Sequence, residues 1–263
     1  MSPLAVRIAL SFVIAGLWIG AVTLWGERLG VRKAGLIANL PSNIVISLIF
    51  VALTRGTDFA VGLTAGIPMG MLIDTIFLVV FMFALRLGTW PALGLALLAW
   101  GASASIVVGL IPPLGFWLAA AVYFVAALIT FRLATGLLPP STPEKKPVAF
   151  SWRILGLRAF FAGSVVAGAV SLAQVAPPYM TGVLATFPAV LSSTMVILST
   201  SQGPDFARAT GRILILSSTN IVVYTAVAGL AFPLLGPWMG TLAAFTAAFL
   251  YILLLGKVIE RLR

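Results

Sequence analysis

Apolar residues run along this chain in nine long blocks, near 5–25, 35–53, 59–85, 91–111, 114–133, 156–175, 181–200, 206–233 and 238–256. Most approach the ~20 residues that a helix needs to cross a bilayer. The third and eighth are longer and are expected to tilt or extend past the membrane. Pro112 and Pro113 divide the fourth block from the fifth, because proline ends one helix and favours the start of the next. The blocks are continuous rather than alternating, which argues against a porin-type barrel. The pattern predicts an all-α integral membrane protein of nine transmembrane helices.

Composition agrees. Of the 263 residues, 61% are apolar and 8% charged, with a mean hydropathy of +1.16, whereas soluble domains carry about 25% charged residues. Cysteine and histidine are both absent. That removes thiolate and imidazole chemistry: disulfides, zinc or haem ligation through these side chains, and Cys or His nucleophiles. The six acids are Glu27, Asp58, Asp74, Glu144, Asp205 and Glu260, too few and too scattered for paired-carboxylate or metal-assisted chemistry. No metal, no cofactor and no intramembrane enzyme activity is expected.

The net charge of +10 would suggest a nucleic-acid partner in a soluble protein. Here its distribution points to topology instead. If the nine blocks cross alternately, fourteen of the sixteen Lys and Arg residues fall on one side, and only Arg7 and Arg55 on the other. The basic side is the cytoplasmic one. The expected arrangement is therefore a multi-pass protein of the plasma or inner membrane, N-terminus outside and C-terminus inside. An odd number of spans is required. The first block reads as a retained helix, since cleavage there would put Arg28, Arg32 and Lys33 outside. Trp25, Trp90, Trp117, Trp152 and Trp238 lie near predicted span ends, as in an interfacial aromatic belt. Residues 139–147, PPSTPEKKP, read as a cytoplasmic linker.

An internal repeat organises these spans. Residues 35–60 align with 182–207 at a constant offset of 147, with identities at Gly35/Gly182, Ala38/Ala185, Pro41/Pro188, Gly56/Gly203, Asp58/Asp205, Phe59/Phe206 and Ala60/Ala207. Trp90 and Trp238 pair at an offset of 148. Each copy takes four spans: repeat 1 is 1–111 and repeat 2 is 156–263, with the fifth span and the linker in 112–155. Corresponding spans are five apart, an odd number, so the copies lie upside down relative to each other. Inverted repeats of this kind are the architecture of many secondary transporters. Some channels share it, and duplication for packing alone would leave the same trace.

Candidate site residues follow from the repeat. Pro41 and Pro188 interrupt the helix ladder at matching positions, each six residues after a Gly, among Asn39, Ser42 and Asn43 in one copy and Thr186, Ser192 and Ser193 in the other. Such paired interruptions in inverted halves point to a substrate site. A tolerated proline in a first turn is the alternative. Asp74 falls mid-span, where an unpaired charge is costly. Gly62, Gly66 and Gly70 share its helix face and allow close packing there. Near the corresponding position of the second copy lie Ser217, Ser218, Thr219 and Asn220. A carboxylate facing an amide and hydroxyls can bind a cation or carry a proton, or can serve as interhelical glue. Pro68 is expected to kink the helix that carries Asp74.

Asp58 and Asp205 open spans after TRG and SQG turns, where a carboxylate meets free amides and the positive end of the helix dipole. A gate or ion-entry role is the alternative. Arg208 and Arg212 share a face near Asp205 and serve as topology markers or as an inward anion contact.

The stretches PPYMTGVLATFP and GPDFARAT carry Gly182, Phe187, Pro188, Gly203, Ala207, Arg208, Ala209 and Thr210. Through them residues 177–233 resemble the small four-helix bacterial membrane proteins of the GlpM family. The first copy keeps Gly35, Pro41 and Gly56 but has Val61 where Arg208 would match. The resemblance implies two such units fused through an extra helix, with ancestry in a dual-topology dimer. It implies no substrate.

The leading expectation is a secondary transporter or exporter of a small molecule or ion, proton- or cation-coupled, acting as a monomer or homodimer in the lipid bilayer with no nucleic-acid partner. A passive ion channel comes second. A non-transport membrane subunit or a lipid flippase comes third.

Overall fold

The computed structural model describes the backbone of residues 3–28, 41–138 and 151–261, with side chains throughout these except at 22–28, 154 and 258–261. Among the described residues there are helices and no strand. In chain order they are α1 (Pro3–Arg28), α2 (Ser42–Arg55), α3 (Thr57–Thr64), α4 (Ile67–Ala84), α5 (Thr89–Leu110), α6 (Phe116–Leu137), α7 (Trp152–Leu172), α8 (Pro178–Leu184), α9 (Ala189–Ser201), α10 (Pro204–Ser217) and α11 (Thr219–Arg261). A 3-10 turn, Leu85–Leu87, follows α4. The linker 139–147, Gly35, Ala38 and Asn39 lie outside the described residues.

The first, fourth, fifth and sixth apolar blocks each form one helix. Others are interrupted where the sequence suggested continuity. The third divides at Ala65 and Gly66 into α3 and α4. Pro68 is consequently in the first turn of α4, where its missing N–H leaves no bond unmade. It starts a helix rather than kinking one. The seventh divides into α8 and α9 across residues 185–188, because Pro188 has no N–H to continue the ladder. The eighth divides at Ser218. Within α11 the backbone leaves helical geometry at Gly236 (φ 72°, ψ 171°), between Pro233 and Pro237, which separates the eighth block from the ninth.

Seven helical runs among the described residues are long and apolar enough to cross a membrane; one of them, Pro204–Lys257, is 54 residues long and contains the Ser218 and Gly236 breaks. Helix α2, with 14 residues, is shorter than a span.

Helix α4 sits at the centre, packed against α5, α6, α8 and α10. Its most apolar window is 72% buried, against 22% for α5 and for α6, so α4 is core and the other two are outer helices. Being apolar all round suits a helix surrounded by protein: Phe77, Phe81, Met71, Ile73, Leu78 and Met82 are fully buried. The outer helices face inward through small residues. In α5 the inner stripe is Ala92, Ala96, Trp100 and Ala104, four residues apart, while Trp90, Leu98 and Leu110 face outward. Small inner residues let backbones approach closely, as membrane helices need.

Several backbone features recur at the offsets seen in the sequence. Pro41 (φ −74°, ψ 42°) and Pro188 (φ −79°, ψ 44°) have nearly the same conformation, and each precedes a helix. Among the described residues the glycines with positive φ are Gly56 (φ 91°) and Gly203 (φ 101°), 147 apart, and Gly88 (φ 106°) and Gly236 (φ 72°), 148 apart. Positive φ is nearly free for glycine alone, which explains why these turns keep it.

Helices α1 and α7 meet at Gly16 and Gly163, also 147 apart. A methyl on Gly16 would lie 3.1 Å from the Ala159 carbonyl oxygen, and one on Gly163 would lie 2.6 Å from that of Phe12. As the residue number rises from 12 to 16 on α1, its neighbour on α7 falls from 163 to 159. The two helices cross antiparallel.

Candidate functional site

A cavity of about 80 Å³ lies where the start of α2 and the α8–α9 break converge. Its wall includes Pro41, Ser42 and Asn43 from the start of α2, and Thr186, Phe187 and Pro188 from the break between α8 and α9. Asp74 of α4 and Ser218 at the α10–α11 break add further polar lining. Ile19, Met71 and Ile221 supply apolar surface.

Two helices begin at this cavity with the same geometry. The first intrahelical bonds are donated by Val45 to the Pro41 carbonyl (2.9 Å) and by Ser192 to the Pro188 carbonyl (2.7 Å). The preceding N–H groups, at Asn43 and Ile44 and at Val190 and Leu191, belong to the first turns, whose donors have no intrahelical acceptor. All four residues line the cavity.

Asp74 is 4% exposed. Its Oδ1 accepts a hydrogen bond from Trp100 Nε1 at 2.9 Å. The Trp100 ring meets Phe187 edge to face, with centroids 5.1 Å apart. One indole thus ties the Asp74 carboxyl to the break that follows α8. Tyr123 of α6 is fully buried, with no hydrogen-bond partner for its hydroxyl among the described residues, and lies within electrostatic reach of both Asp74 and Tyr251. The Tyr251 hydroxyl pairs with Thr219 Oγ1 at 2.9 Å.

The break in the third block is held by backbone-to-backbone packing. A methyl on Gly66 would fall on the Tyr179 carbonyl oxygen and 2.9 Å from the Val183 nitrogen. One on Gly182 would fall on the Leu63 carbonyl oxygen and 3.2 Å from the Gly66 Cα. Gly70 faces the Thr186 side chain, and Gly62 lies beside Pro178. The Gly62, Gly66, Gly70 face therefore receives α8 and sets Asp74 beside the α8–α9 break.

Of the residues singled out from sequence, Pro41, Ser42, Asn43, Asp74, Thr186, Pro188 and Ser218 are brought to one cavity. Asn39 lies outside the described residues. Asn220 is fully buried on α11 but is not in the cavity wall. Ser217 is buried and donates to the Leu214 carbonyl. Ser193 donates to the Val190 carbonyl at 3.0 Å, and the Ser192 hydroxyl is buried away from the cavity. Asp58 and Asp205 are exposed in the first turns of α3 and α10. Glycines rather than acids occupy the cap positions there, and no side chain caps either helix. Asp205 pairs with Arg208 at 2.9 Å, while Arg208 Nε donates to the Met82 carbonyl at 3.2 Å and ties α10 to α4. Arg212 is buried in α10 and is not in the cavity wall.

Sequence reasoning missed Trp100 and Tyr123. Trp100 carried a usable signal: it lies mid-block, ten residues from Trp90, too deep for an interfacial belt.

Long apolar helices, outward Leu and Trp, and polar groups gathered inside define an all-α, multi-pass membrane protein. In comparisons with known proteins, no family, no curated protein and no solved structure matches the chain.

Proposed function

We propose that the protein is a secondary transporter of a small solute, proton- or ion-coupled, with its site between two inverted repeats. The observation that carries this is the cavity itself: the proline-led starts of α2 and α9 and the buried Asp74 meet in one wall. Irregular backbone at membrane depth is tolerated where it lines a cavity, and half-helix termini converging there are the usual elements of a transporter site. The nine-span, N-outside arrangement of residues 1–111 and 156–263 around the 112–155 linker is part of the same proposal. So is descent from a fused pair of GlpM-like units in a cytoplasmic membrane. Matched conformations at Pro41/Pro188 and at the glycine pairs support the repeat, and the antiparallel crossing of α1 and α7 supports its inversion. Alternating access would then come from rocking of one repeat against the other.

The flux test uses proteoliposomes carrying a pH dye, exposed in turn to inorganic ions, amines and organic acids. Wild type should accelerate pH change with one class of solute, saturably, and Asp74→Asn should reduce that rate to the level of empty vesicles while its thermal stability stays near wild type. Unchanged transport by the variant would sink the role given to Asp74. Wild-type vesicles no faster than empty ones for every solute would sink the transporter reading. A rate that does not saturate would favour a channel.

The inversion has its own check. The chain has no cysteine, so single cysteines report cleanly. Thr57→Cys and Pro204→Cys occupy corresponding positions. An impermeant maleimide added outside should label the first and spare the second. Labelling of both from one face would remove the inverted arrangement.

A further inference from the structure

We infer that the cavity binds a small monovalent anion together with a proton: the anion on the N–H groups that open α2 and α9, the proton on Asp74. This rests on the transporter reading for its direction of use, but the site is argued from its own chemistry. Each helix N-terminus carries about half a positive charge, and free first-turn N–H groups make it an anion site. Two such ends meet here, so about one positive charge faces the cavity. Helices α2 and α9 have 14 and 13 residues, long enough for the effect.

Independent side chains also point inward. Ser218 is 4% exposed, lines the cavity, and its hydroxyl has no partner among the described residues. Asp74 is equally buried, and among the described residues its carboxyl is engaged at Oδ1, by Trp100. The cavity of about 80 Å³ is well above the ~10–15 Å³ that admits one water, and it suits an ion of a few heavy atoms.

The charges in this cavity balance in one of two ways. With Asp74 ionised, its single negative charge offsets the two helix ends, and an entering anion finds no net attraction and leaves the site with an uncompensated negative charge. With Asp74 protonated, about one positive charge is left uncompensated, and an anion restores neutrality. Anion and proton therefore favour each other's binding, and they leave together without moving net charge. A cation would meet two positive helix ends as well as Asp74, which makes it the poorer occupant.

Other ionisable groups with described side chains on the elements around α4 are Tyr123 and Arg132 on α6, Tyr179 on α8, Asp205, Arg208 and Arg212 on α10, and Tyr224, Tyr251 and Lys257 on α11. Asp58 on α3, Asp205 on α10, Arg132 on α6 and Arg86 on the 3-10 turn are exposed, away from the cavity wall. Tyrosine, lysine and arginine ordinarily keep one charge state through the mildly acidic and neutral range, so Asp74 is the group that links binding to pH.

The test is thermal unfolding of the purified full chain in sodium chloride, nitrate or formate, each against sodium gluconate at equal ionic strength, from about pH 5 to about pH 8. A parallel series holds chloride constant and exchanges sodium for potassium or choline. At least one small anion should raise Tm at low pH, with an apparent Kd that weakens by about tenfold per pH unit above the Asp74 titration. Asp74→Asn, which mimics the protonated carboxyl, should keep the anion effect and lose its pH dependence. Ser218→Ala should weaken the anion effect without changing that dependence. If Asp74→Asn does not fold, the wild-type series alone decides.

Stabilisation that follows the cation, an anion effect independent of pH, or no salt specificity would each overturn the inference. Linked anion binding without flux in vesicles would retain this site and remove the transporter reading. Flux of a cation alone would do the reverse.

Discussion

Gly182→Ala and Gly66→Ala are each expected to destabilise the protein by about 3 kcal/mol, through overpacking against atoms that cannot rotate away. At both positions the new methyl would meet backbone of the opposing segment: the Leu63 carbonyl for Gly182, the Tyr179 carbonyl and the Val183 nitrogen for Gly66. A side chain in the way can change rotamer, but a peptide unit moves only with its helix. The α3–α4 junction and α8 would have to separate, and the Asp74 side of the cavity would move with them. Gly94 and Gly101 on α5 are the controls, since a methyl at either meets nothing within 4 Å. Alanine at either control should be neutral or stabilising by roughly 0.5–1 kcal/mol, the cost of glycine in a helix interior. Thermal unfolding of the four variants in one detergent separates the outcomes. Equal behaviour of all four would mean that the Gly66–Gly182 contact does not hold the break in place.

The second large effect is expected at Trp100. Trp100→Phe removes the indole donor that reaches Asp74 Oδ1 while keeping an aromatic ring beside Phe187. A buried acceptor left without its partner costs about 1–3 kcal/mol. Because the indole acts through the carboxyl, the loss should depend on what occupies position 74. In a double-mutant cycle with Asp74→Leu, Trp100→Phe should cost about 1–3 kcal/mol less than it does in the wild type. Additive effects would assign the Trp100 contribution to packing alone. The same variant should shift the pH at which solute-driven flux is half-maximal, a readout that a purely structural residue would leave in place.

Some of this site was legible in the chain. Pro41 and Pro188 were found because proline removes an N–H wherever it stands, so the interruption needs no tertiary information. Asp74 was found because a carboxylate within a long apolar block needs a partner whatever its neighbours are. Asn220 and Ser218 show where such reasoning stops. They lie two residues apart in one polar run. Successive helix positions turn by about a hundred degrees, so the pair point in widely different directions. Only the packing of α11 against α3 and α4 decides that Ser218 borders the cavity while Asn220 is enclosed elsewhere. Ser192 and Ser193 fell short for a related reason: they lie beyond the open first-turn N–H groups of α9, so the cavity is lined by Val190 and Leu191 instead.

By itself the sequence determined the all-helical membrane class, because burying about twenty apolar residues at a time in lipid requires that each backbone group be satisfied within its own helix. It also determined where the chain must turn, through glycines such as Gly56 and Gly203 whose positive φ other residues avoid. The tertiary structure alone decided that the third and eighth blocks break, that Gly66 and Gly182 interlock, and that Trp100 rather than Asn220 is the partner of Asp74. Those outcomes depend on which helix faces meet. Apolar residues on every side of α4 leave its rotation open until the neighbouring helices are in place.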